Sequence, residues 1–80
     1  MGKEQYGQVL TAIEYTLDQL RRGPKDRDKN ENAKAYEQRV ETWYKHKHRF
    51  VLFCIKAIRD IDSVRAKSYL NELRNLRDRI

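Results

Sequence analysis

Eighty residues, 39% hydrophobic and 38% charged, make one domain at most and leave it near the lower limit for an unaided core. Eighteen Lys and Arg against twelve Asp and Glu give a net charge of +6, which points to an anionic partner. The longest apolar run, Phe50–Ile55, is too short to cross a bilayer, and a lone cysteine, Cys54, excludes an internal disulfide.

The charge is unevenly placed. Residues 1–32 balance six bases with six acids, residues 33–61 carry a surplus of four positive charges and residues 62–80 a surplus of two. With no secretory apolar stretch at the N-terminus, and Tyr rather than Ser or Thr at position 6 for an acylation signal, a cytoplasmic, reduced setting is expected.

Residues 3–22 read as an amphipathic helix. Tyr6, Leu10, Ile13, Leu17 and Leu20 recur at spacings of four and three, with Val9 beside them and Tyr15 pointing away. Gly7 falls on the polar side. Gly23-Pro24 then stops the helix, with Gly suited to a left-handed cap and Pro unable to continue. Residues 23–30 form a solvated loop of alternating charge. Three helix starts compete after it: a capping box from Asp28 and Glu31, Asn30, or Asn32.

The second helix is expected over residues 31–61. Its main stripe is Tyr36, Val40, Trp43, Phe50, Cys54, Ala57 and Ile61, with Lys47 interrupting the apolar face. The run FVLFCI taken alone would suit a strand, but no second strand exists to pair with it. Asp60-Ile61-Asp62-Ser63 supplies a cap in mid-pattern, and Ala66, Tyr69, Leu70, Leu73, Leu76 and Ile80 form one clean face beyond it. Either the second helix bends here and continues through residue 79, or it breaks and a third helix runs over residues 63–79, which is the arrangement expected. The fold expected is all-α: an antiparallel three-helix bundle with a long central helix, completed by homodimerisation because the core is thin.

The segment Lys45–Arg59 carries five Lys or Arg, two His and no acid. On a helix, Lys34, Lys45, Arg49 and Lys56 fall within an arc of about 60°, with Arg59 and His48 flanking it. A straight row of bases is the footprint of a protein tracking phosphates, because each contact releases counterions. A solvated outer face is the simpler alternative, but the row meets no acid between Glu41 and Asp60. Lys47 supports the row or snorkels from the apolar face to its rim.

Leu52 and Phe53 project beside the basic arc, and Tyr44 beside the core aromatic Trp43. They contact a partner, or else the third helix folds back over the first two. His46 and His48, two residues apart, point about 200° from each other and cannot share a metal. They suit a polar rim, where protonation below neutral pH adds positive charge. Much of the C-terminal cluster of Arg65, Lys67, Arg74, Arg77 and Arg79 is ordinary helix chemistry, including a pair from Arg74 to Asp78.

The chain shows no Gly-rich phosphate loop, no Ser-His-Asp set and no paired carboxylates, so neither catalysis nor a cofactor is expected. The function expected is a non-enzymatic nucleic-acid-backbone binder, RNA or DNA, acting as a regulator or ribonucleoprotein component. The alternative is a protein–protein module, an adaptor or a phage-encoded inhibitor, docking its cationic and apolar face on an acidic surface of a larger machine.

Overall fold

The computed structural model describes residues 2–77, and within them three helices pack together: α1 (Lys3–Arg22), α2 (Ala33–Ile58) and α3 (Ser63–Arg77). The expected element order is present. The second helix is shorter than expected at both ends, and the last residues of the third, with Ile80 and the Arg74–Asp78 pair, lie outside the described residues.

Each boundary has a local cause. Gln5 Oε1 accepts the Gly2 N–H at 3.2 Å and quiets one orphan donor at the start of α1. Gly23 ends that helix at φ 83° and ψ 173°, donating its N–H to the Gln19 carbonyl at 3.0 Å. That conformation has the positive φ expected, but its extended ψ departs from the left-handed helical cap and is open almost only to glycine. Among the three candidate starts of α2, Asn32 is used: its side chain accepts the Ala35 N–H at 2.7 Å.

Glu31 has a different task. It takes Arg39 Nε at 2.9 Å, while the same guanidinium donates to the carbonyls of Lys25 and Asp26 at 3.0 and 3.2 Å. Arg39 thereby fastens the charged loop to α2. Its own neighbours in the chain give no hint of this, since the partners lie eight to fourteen residues away.

Between α2 and α3 the chain breaks at residues 59–62. Asp62 accepts the Arg65 N–H at 3.1 Å as the cap of α3, and its other oxygen receives the Tyr6 hydroxyl at 2.8 Å. One carboxylate therefore starts the third helix and ties it to the first turn of the first. Further along, Tyr69 donates to Glu14 at 2.8 Å, and Arg21 pairs with Glu72.

The core consists of Ile13, Leu17 and Leu20 from α1, Val51, Cys54, Ile55 and Ile58 from α2, and Ala66, Tyr69 and Leu73 from α3. The α1 and α3 faces are those the spacing predicts, with Leu70 and Leu76 packed at the edge. The α2 face is not. Phe50, Ala57 and Ile61, assigned to the inward stripe, are exposed, and the buried arc is turned by about 70°. The reason is that α2 must serve two partner helices at once, so its buried centre falls between them.

The molecule is a narrow rod of 46 × 24 × 16 Å. Its accessible surface, 6408 Å², exceeds the roughly 5100 Å² expected for a monomer of this mass. No helix among the described residues is long and apolar enough to cross a membrane.

Two predictions arise from this framework. Gly7 is exposed in mid-helix at negative φ, and a methyl group there would meet nothing within 4 Å. Gly7→Ala should stabilise the fold by about 1 kcal/mol, read as a higher urea midpoint at unchanged slope.

The second concerns acid. The Arg39 guanidinium holds Glu31 below the usual carboxylate range, and the Arg65 N–H, helped by the Tyr6 hydroxyl, does the same for Asp62. A depressed carboxylate stabilises the fold above its unfolded pKa, and that contribution disappears as pH falls through the folded value. Denaturant midpoints should be flat near neutrality and drop as the pH falls below about 4.5. Asp62→Asn should remove part of that drop while keeping a capping oxygen. A midpoint that rises on acidification contradicts the assignment.

Candidate functional site

The basic row lies on the outer side of α2. Lys45, Arg49 and Lys56 are exposed, and none of the ion pairs among the described residues involves them or Lys34. Arg59 approaches only its neighbour Asp60, at 3.9 Å with both side chains well exposed. Such a contact contributes little against solvent screening. Lys34 stands apart. It lies eleven positions before Lys45, about 16 Å along the helix, and Glu41 sits on that intervening stretch.

This row has a local cost. Lys45 and Arg49 are like charges four residues apart on one helix, an arrangement that destabilises by about 0.2–0.5 kcal/mol, and Glu41 four residues before Lys45 offsets part of it. Lys56 and Arg59 repeat the pattern at three residues. Two of the three acids of α1 are engaged elsewhere, Asp18 with Arg22 at 3.1 Å and Glu14 with Tyr69, and the third, Glu4, is exposed in the first turn.

The supporting residues separate. Lys47 is half-buried, its Nζ 3.0 Å from Gln19 Oε1 and 5.8 Å from the centre of the Trp43 ring. It snorkels, as its position on the apolar face implies, and is tied to α1 rather than aligned with the row. His48 is half-buried, while His46 is exposed on another side of the helix. Among the described residues no group of three His, Cys, Asp or Glu side chains gathers as a metal site would require.

The three apolar residues assigned to a partner also divide. Tyr44 packs on the core and meets Trp43 edge to face, with ring centres 5.0 Å apart. Leu52 is half-buried against the core. Phe53 alone of the three is open, at 73% exposure. Cys54 is buried, and loss of hydration pushes its thiol pKa up, away from nucleophilic use.

Sequence reasoning missed one element. A groove of 580 Å³ runs between α1 and α2, lined by Ala12, Tyr15 and Gln19 on one side and Trp43, His46 and Phe50 on the other. It continues past Gln8, Val9 and Cys54. The signal for it was present: Tyr15 pointed away from its stripe, and Phe50 belonged to a row too wide for one face. Only the packing angle of two helices could bring them together.

None of the family models, curated proteins or solved structures compared with this chain matches it.

Proposed function

We propose that this protein is a non-enzymatic binder of nucleic-acid backbone, RNA or DNA, acting as a regulator or ribonucleoprotein component in the cytoplasm. The supporting observation is the exposed row Lys45, Arg49, Lys56 and Arg59, in which the only ion pair among the described residues is the exposed contact of Arg59 with Asp60. Lys34 extends the row at a distance, and Lys47 and His48 contribute positive character beside it. Contacts of α1 with both other helices fit a three-helix bundle in which α2 runs antiparallel to its neighbours. The excess of accessible surface suits a protein that completes itself on a partner or a second copy.

The test is a salt titration of binding to oligonucleotides. Four phosphate contacts predict a slope of log affinity on log salt near −3.6 for duplex DNA and near −2.8 for a single strand. Between 50 and 200 mM salt the affinity should therefore fall about 50- to 150-fold. Absence of binding at about 50 mM salt, where such contacts are strong, overturns the proposal.

A second reading is favoured by the groove. Apolar side chains of an acidic protein segment, seated between Tyr15 and Phe50, would make this chain an adaptor or inhibitor docking through the same face. Capture of a purified acidic partner without oligonucleotide binding would support that reading.

A further inference from the structure

We infer that the nucleic acid this face takes is single-stranded, with its unpaired bases stacked on Phe53 and the aromatic groove beside it. The inference rests on the backbone-binding reading above and specifies the strand form.

Two rows run side by side along α2. One is cationic: Lys45, Arg49 and Lys56 occupy an arc of about 40°. The other is aromatic. Phe53 stands about 40° round the helix from Arg49, and Phe50 about 60° further, at the lip of the groove. Phe53 is 73% exposed, Tyr15 across the groove 64% and Phe50 45%. Three large rings left in water on one side of an 80-residue protein are an expensive surface unless something covers them.

The arrangement selects the occupant. A single strand presents phosphates along one edge and flat bases along the other, and proteins that hold it pair a basic track with stacking aromatics. Duplex nucleic acid could use the cationic row but has no free base face for Phe53. A two-fold-related copy of this chain seated here would bring Arg49 and Lys56 towards their own images, since an isologous contact repeats the same patch on both sides. Of the nearby acids, Asp18 is paired with Arg22 and Glu14 holds Tyr69, which leaves Glu41 as the one exposed carboxylate on that arc against three cations. An anionic partner with planar apolar groups satisfies both rows.

The groove adds polar edges. Gln5 and Gln8 line its continuation and Gln19 its other end, giving amide donors and acceptors where base edges would lie. These contacts tolerate any base, so little sequence preference is expected. Trp43 lies in the groove wall and offers an intrinsic fluorescence signal for occupancy.

The experiment compares a 15-nucleotide homopyrimidine strand with a duplex of equal length, using wild type, Phe53→Ala and Phe53→Tyr. Wild type should bind the single strand at least ten times more tightly, with a change in Trp43 fluorescence. Phe53→Ala should lose about five- to a hundred-fold in single-strand affinity, one stacking contact, with duplex affinity unchanged. Phe53→Tyr should retain it. Because Phe53 is exposed, Phe53→Ala should keep its helical circular dichroism. Equal binding of strand and duplex, with Phe53→Ala neutral, overturns this inference and leaves backbone binding standing. Binding of neither overturns both. Concentration-dependent dimerisation abolished by Phe53→Ala, seen by sedimentation, assigns the ridge to a second copy and overturns the stacking role.

Discussion

Ile58→Ala should lower the thermal midpoint of this protein by about 10–25 °C, whereas Phe53→Ala should move it by only a few degrees. Ile58 has no exposed surface and belongs to the core that residues of all three helices build. Truncating a fully buried Ile costs about 2–5 kcal/mol through lost transfer energy and the cavity left behind. A chain of 80 residues has a total stability of roughly 4–12 kcal/mol, so this one change removes a large part of it. Leu17→Ala, at 1% exposure, should behave alike. Phe53 is the larger side chain, but at 73% exposure it gives up almost no buried contact, and surface changes of that kind stay within about 0.5 kcal/mol. Phe50→Ala, half exposed, should fall between. If Phe50→Ala were the most damaging of the three α2 variants, the assignment of the inward face of α2 would be wrong.

The second large effect is on binding. Replacing Lys45, Arg49 and Lys56 together by Gln should weaken oligonucleotide affinity on the order of a thousand-fold at 50 mM salt. The salt slope should fall by about 2.7 for duplex and 2.1 for single strands, because three phosphate contacts are gone. Stability supplies the control. These side chains make no ion pair among the described residues, and Lys45 repels Arg49, so the triple variant should unfold at the same midpoint or slightly higher. A variant that binds normally, or one that loses its fold, would show that the row belongs to the scaffold.

These two expectations meet on α2, where local pattern and tertiary packing give different answers. Helix periodicity placed Val51, Cys54, Ile55, Phe50, Ala57 and Ile58 all near an apolar surface, because after Phe50 the helix is apolar on most sides. Periodicity ranks faces only when one face is clearly greasier than the rest. Here the position of α3 decided which arc was covered, leaving Phe50 and Phe53 outside it and drawing Leu52 half inside. By contrast α1 and α3 each have one apolar face, and apart from Thr16 their buried residues all belong to the stripe the spacing marks.

The same division holds for the polar contacts. Caps are short-range, so Asn32 and Asp62 were legible as candidates, although three starts for α2 were equally consistent with the chain. Arg39 bridging Glu31 and the loop carbonyls, and Tyr6 reaching Asp62 across 56 positions, were not legible, since neither partner marks the other in sequence. The exposed bases Lys45, Arg49 and Lys56 were legible, whereas the ties of Lys47 to α1 were not. Exposure of a charged residue is its default, and four bases at helical spacing need no fold to align them.

What the sequence determined by itself was three helices, their approximate limits, and a cationic track on the longest of them, because propensity, capping and the 3.6-residue repeat act within a few residues. What only the tertiary structure decided was which arc of α2 is dry, which carboxylates are already engaged, and the existence of a groove between α1 and α2. Those depend on the angle and rotation at which whole helices meet, and that is set by the sum of many side-chain contacts rather than by any local run.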